Sequence, residues 1–120
     1  MAAPNVVNVT SIYGKTKTQA ATTGAVTLLA NAASSHKLLK VNTVIAANTD
    51  TVANYWVTLT YNDGATNVDI AQQIVIPAKA SLIIIDKSSS LYMEEGHTIQ
   101  VLAENADIEL TISYEEIDDA

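Results

Sequence analysis

Two histidines, three adjacent pairs of acids and a scatter of hydroxyls are what this chain offers for chemistry. His36 and His97 stand far apart, and neither sits in a His-x-x-x-His or His-Glu-x-x-His spacing that would turn two ligands toward one zinc ion. Each reads as an ordinary exposed histidine at a strand end. There is no Gly-x-Ser-x-Gly elbow to lift a serine nucleophile, and 4 glycines in total do not make a phosphate-cradling loop. Cysteine is absent, which removes thiolate ligands, a thiol nucleophile and a disulfide framework together. The acid pairs Glu94-Glu95, Glu115-Glu116 and Asp118-Asp119 could suggest glycosidase carboxylates. Neighbouring strand residues point to opposite faces, however, so such pairs do not converge outside a turn. Glu94-Glu95, just before Gly96, is the one pair in a turn. Calcium there would need oxygen ligands from other loops, and a solvated hairpin is the better reading. The residues therefore assign no catalytic, cofactor-binding or metal site, no small-molecule substrate and no enzyme activity.

The elements that would position any site are strands. Val, Ile and Thr make up 37 of the 120 residues, side chains that suit a pleated surface, and there is no Phe. A chain of 12.7 kDa holds one core, so residues 1–120 are expected to form a single domain. Period-two alternation dominates. Tyr55, Val57, Leu59 and Tyr61 share one face, with Trp56, Thr58 and Thr60 on the other; Ile108, Leu110, Ile112 and Tyr114 repeat the pattern. Between Leu38 and Ala47 the apolar parity is Leu39, Val41, Ile45 and Ala47. From Val68 to Ile76 it is Val68, Ile70, Ile74 and Ile76, with Gln72 on the apolar face predicting a bulge near residues 71–73. Asn62-Asp63-Gly64 is hairpin chemistry and makes strands 54–61 and 66–76 antiparallel neighbours. Pro77 ends the second of them, while Gln19–Thr23 and Asn31–Ser35 read as loops or extended connectors. The expectation is an all-β fold, an antiparallel β-sandwich or jelly-roll-like arrangement of eight to nine strands. Residues 1–19 are read either as an extended N-terminal arm carrying Lys15 and Lys17 or as the first strand.

Leu82, Ile83, Ile84 and Ile85 run consecutively and put two large aliphatics on each face of a strand, so both faces call for burial. Either a loop of the same chain or a second copy covers the outer face, and burying two Ile side chains would contribute about 3–6 kcal/mol. The charge is divided as well. The net charge of -7 splits into a basic first half with four lysines and only Asp50, and a second half holding twelve of the 13 acids. Such polarity suits contact between copies, or simply a solvated acidic surface. No arginine is present, so direct nucleic-acid binding lacks its usual footprint. No basic-then-apolar leader and no apolar run long enough to cross a bilayer occurs, and the expectation is a soluble product made in the cytoplasm.

Five segments carry a resemblance: Asn8 to Thr16 (Asn-Val-Thr-Ser-Ile-Tyr-Gly-Lys-Thr), Asn54 to Thr58 with its following Asp-Gly turn, Ile74 to Ala78, Ser90 to Gly96, and Ile112 to Ile117. Together they resemble small virion structural proteins of tailed bacteriophages of aquatic bacteria and cyanobacteria. The resemblance implies a non-enzymatic capsid decoration or cement protein, made in the host cytoplasm and placed on the capsid surface. Its implied partners are the major capsid protein and copies of itself, as a trimer; neck or tail parts are the nearest variant. Candidate subunit or capsid contacts are Ile12, Tyr13, Lys15, Lys17, Trp56, Leu82, Ile83, Ile84 and Ile85. The competing class is a carbohydrate-binding or receptor-recognition module, which would rely on Trp56, Tyr13 and Tyr92 as its outward aromatics.

Overall fold

The computed structural model describes residues 11–118, and these form nine strands and one short 3-10 turn. The strands are β1 (Ser11–Ala20), β2 (Val26–Ala30), β3 (Lys37–Asn48), β4 (Tyr55–Asn62), β5 (Asn67–Ile76), β6 (Ser81–Ile85), β7 (Leu91–Met93), β8 (Thr98–Ala103) and β9 (Ile108–Asp118). Every pairing is antiparallel. One sheet runs β1-β9-β3-β6, with β7 also on the free side of β3; the other runs β2-β8-β4-β5.

This order follows from folding one long hairpin and rolling it up. Its tip is the turn after β4, where Asp63 Oδ1 accepts the backbone N–H groups of Ala65 and Thr66 and Gly64 takes the positive φ of 94° that a side chain disfavours. Outward from that tip the pairs nest: β4 with β5, β3 with β6 and β7, β2 with β8, and β1 with β9. Rolling then adds β9 against β3 and β8 against β4. With β6 and β7 counted as one interrupted strand, this is the jelly roll, a double sheet in which consecutive strands alternate between layers except at the β4–β5 tip. The interruption is a 3-10 turn at Lys87–Ser89. Asp86 caps it by accepting from the N–H groups of Ser88 and Ser89, and the Ser89 hydroxyl receives the Asp86 N–H.

Between the sheets lies a core of short side chains. Val44, Leu110 and Ile112 come from one layer, and Val57, Leu59, Ile99 and Val101 from the other. The inward parities expected for β4 and β9 hold: Tyr55 and Tyr61 pack against the core with Val57 and Leu59, and Tyr114 joins Ile108, Leu110 and Ile112. The bulge expected near residues 71–73 is present, with Gln73 at a φ of 49° and its N–H donated to the buried Thr58 hydroxyl at 2.9 Å.

In β5 the two bulges break the expected face, so Ile70 and Ile76 reach the core while Val68 and Ile74 are exposed. Two other parities are corrected. In β3 the register slips between Val41 and Thr43, so Val44, Ala46 and Asn48 face inward and Ile45 and Ala47 face out. Asn42 is the extra residue, and its amide reaches Glu115 at 2.9 Å. In β6 a slip leaves Ile84 unpaired, so the run does not divide evenly. Leu82 and Ile84 pack against the core, Ile85 lies within it, and Ile83 alone is exposed on the outside, at 60%. Gln19 and Ala20, read as loop or extended connector, complete β1.

Two buried asparagines fasten the ends of the sandwich. Asn31, after β2, donates to the carbonyls of Lys37 and Met93, each at 2.9 Å, while its oxygen accepts the Ser35 hydroxyl. Asn48, ending β3, donates to the carbonyls of Ala53 and Ile76, each at 2.9 Å, and its oxygen accepts the Asp50 N–H. Each side chain replaces ladder bonds that the departing strands cannot make, so no loop carbonyl is stranded there.

Candidate functional site

The loops after β2, β4 and β7 meet at one end of the sandwich. They form a groove of about 630 Å³ lined by Asp63, Gly64, Glu94, Glu95 and His97. His97 is held by Tyr61, whose hydroxyl lies 2.5 Å from Nδ1, the two rings meeting edge to face with centroids 5.5 Å apart. Burial raises the Tyr61 pKa, with Glu94 and Asp63 adding to it. His36 adopts a positive φ of 58° and gives its backbone N–H to the Glu95 carboxylate at 2.9 Å. The two histidines thus share an end of the fold. Among the described residues, no group of three or more His, Asp or Glu side chains is placed to hold a metal ion.

A smaller cleft of about 200 Å³ opens beside it, lined by Asn31, Ser35, Lys37, Leu39, Tyr114 and Glu116. Here Glu116 is gripped from both neighbouring strands: Lys37 Nζ on β3 lies 2.8 Å from one carboxylate oxygen, and Lys15 Nζ on β1 lies 2.9 Å from the other. The register requires this, since Glu116 stands opposite Tyr13 and Leu39 and the lysines sit two residues away on the same face. Hydrogen bonds from Lys37 and Lys15 hold the Glu116 carboxyl below its ordinary range, and the same bonds raise both lysines. A depressed carboxyl stabilises the fold above its unfolded pKa, about 4.3, and that contribution is lost as pH falls through the lower folded value. Asp50 and Asp63 are depressed in the same direction by backbone N–H groups. Melting temperature is therefore expected to drop steeply below about pH 4, and Glu116→Gln to flatten part of that drop while lowering stability at neutral pH. An unchanged acid limb in thermal melts of the variant would remove Glu116 from the account.

The sequence candidates fall on different surfaces. Ile12 and Tyr13, each 54% exposed, lie on β1 with Lys15 and Lys17. Lys15 is committed to Glu116, whereas Lys17, opposite Ile112, has no ion pair among the described residues. Trp56 is half-buried on the outer face of the second sheet, directly opposite Val75. Ile83 is on the outer face of the first sheet, opposite Ile45. Leu82 and Ile84 are partly buried against the core, and Ile85 is buried within it.

Sequence reading missed the composition of that outer face. Two cross-strand rows, Thr16, Ser113, Thr43 and Thr18, Thr111, Ile45, Ile83, carry no charge, and Tyr92 on β7 is half-exposed beyond them, opposite Lys40. Alternation marks these positions as outward, but only the strand order places them side by side.

Comparison with known protein families gives no match, and comparison with curated proteins gives none. Among solved structures, two similar chains are each described as a pentameric capsid protein isolated from metagenomic phage sequences. Both share 15% identity with this chain at a TM-score of 0.45, over 86% of it. The chain spans 63% of the length of one and 61% of the other.

Proposed function

We propose that this chain is a non-enzymatic structural protein of a bacteriophage particle. More closely, it is a decoration or cement protein that binds the major capsid protein on the outside of the shell and associates with copies of itself, as a trimer. The observation that carries this reading is the outer face of the β1-β9-β3-β6 sheet. Two adjacent rows of Thr, Ser and Ile without charge, ending at the exposed Ile83 and flanked by rows that carry Lys40, Glu115 and Glu109, offer a surface for packing against another protein. The resemblance of the five sequence segments supports the same reading. Of the four aliphatics offered by the sequence, we place the contact at Ile83, the one with an exposed side chain; Leu82 alternates inward and Ile84 is the bulged residue.

A glycan-binding reading is disfavoured by geometry. Trp56 projects from one sheet and Tyr92 sits on the other, so the aromatics do not combine into a stacking platform. A neck or tail position remains the nearest variant.

Ile83→Asp tests the contact. The side chain is exposed, so the melting temperature should barely move. Placing a charge in a packed contact should weaken self-association at least about tenfold by sedimentation. An unchanged oligomer overturns the role of this face, and a pentamer overturns the trimer. Mass spectrometry of purified particles tests the rest: high copy number supports a shell protein, low copy number a neck or tail part, and absence from particles overturns the proposal.

A further inference from the structure

The edges of the two sheets are not alike. β5 carries two bulges and runs into Pro77; β2 is 5 residues long with a bulge; β6 and β7 are interrupted by the capped turn at Lys87–Ser89. These are the devices that stop a sheet edge from recruiting another strand. β1 has none of these backbone devices; what guards its edge is charge, Lys15 and Lys17, which repel a second copy of the same strand. Its 10 residues pair with β9 in unbroken register from Ser11 to Ala20, without bulge or proline, and among the described residues no strand lies on its other side.

The pattern of bonds identifies which groups are free. Ala21 N–H donates to the Ile108 carbonyl, and Thr49 N–H on the far side of β9 donates to the Asp107 carbonyl. Antiparallel ladders alternate, so the odd-numbered residues of β1 point their N–H and C=O groups at β9. Ile12, Gly14, Thr16, Thr18 and Ala20 then point theirs away from the sheet, the Ala20 carbonyl accepting the Gln19 side-chain amide. Past the exposed Ile12 and Tyr13, the side chains beside this free edge are basic and polar, with Lys15 and Lys17 two residues apart on one face and no acid anywhere in Ser11–Ala20.

We propose that the free edge of β1 is a strand-addition site for an extended, acid-bearing segment of another protein, with a carboxylate opposite Lys17, whose ammonium has no ion pair among the described residues, while Lys15 keeps its bond to Glu116. Main-chain bonds to Gly14, Thr16 and Thr18 supply the affinity, and the paired charges set register. The charge decides the occupant. A second β1 laid antiparallel on the first would bring four lysines together. The acid-rich strand β9 is interior to its sheet, and no other described edge of a second copy is both straight and acidic. The inference does not depend on the capsid reading.

The test uses the full chain and a fluorescein-labelled ten-residue peptide of alternating Glu and Val, followed by fluorescence anisotropy. Saturable binding is expected, with at least about tenfold loss when Lys replaces Glu in the peptide or when its alternate amides are N-methylated. Thr16→Pro, which removes an N–H that the chain's own ladder does not use, should abolish binding without lowering the melting temperature. Binding that survives N-methylation overturns strand addition, which keeps the proposal testable should Thr16→Pro fail to fold. Absence of saturable binding also overturns the proposal. Self-association abolished by Thr16→Pro but unchanged in Ile83→Asp, with no peptide binding, assigns the edge to a second copy and overturns the acidic partner.

Discussion

Asn48→Asp is expected to lower the free energy of unfolding by about 2–5 kcal/mol at neutral pH, although the two side chains have the same shape. The amide nitrogen of Asn48 serves two carbonyls, those of Ala53 and Ile76, in a position only 2% exposed. A carboxylate brings no donor, faces both carbonyls with negative charge, and cannot turn to water. Burial and those carbonyls would raise the pKa of the introduced acid. The folded state then binds its proton more tightly than the unfolded chain, so the loss should shrink as pH falls from that raised value toward about 3.9. Urea unfolding at several pH values checks both parts. A loss independent of pH, or none, would mean that Asn48 is not the clamp joining the β3 exit to the end of β5.

Leu59→Ala is expected to cost about 3–5 kcal/mol, the upper part of the usual range for such a truncation, in a domain whose whole stability is of order 5–15 kcal/mol. Leu59 is fully buried, with Ala71 and Val101 as its cross-strand neighbours. What a cavity costs depends on whether its walls can move in. This core holds no Phe, and short branched side chains have few rotamers that reach into a void. The hole should stay open. Ile83→Ala, on the exposed face, should stay within about 0.5 kcal/mol. Denaturant midpoints for the pair measure the contrast, and similar losses at the two sites would contradict the packing described.

Legibility in the sequence followed the local regularity of each strand. Tyr55–Tyr61 and Ile108–Tyr114 alternate without interruption, so the face of every residue could be read, and Asn62-Asp63-Gly64 announced the hairpin that follows. Gln72 on an apolar parity exposed the β5 bulge because the misplaced residue was polar. Asn42 gave no such warning, since the residues after it are apolar on both parities, and Ile84 was invisible among its like. The candidate surfaces were less legible still. Lys15 and Glu116 are 101 residues apart, and only the docking of β1 on β9 brings them to 2.9 Å. The same docking gathers Thr16, Thr18, Thr111 and Ser113 into one surface that no single segment contains.

The nesting of strand pairs also has a consequence in time. The tip of the long hairpin closes over a handful of residues, whereas its outermost pair joins Ser11 to Asp118. Folds dominated by such distant pairings assemble in milliseconds to seconds, because the chain entropy of closing the largest loop is lost before its contacts reward it. That widest closure brings a strand carrying Lys15 and Lys17 to one carrying Glu109, Glu115, Glu116 and Asp118. Their attraction hastens the encounter that chain length makes slowest, so the uneven division of charge along the sequence acts on the rate at which the sandwich shuts.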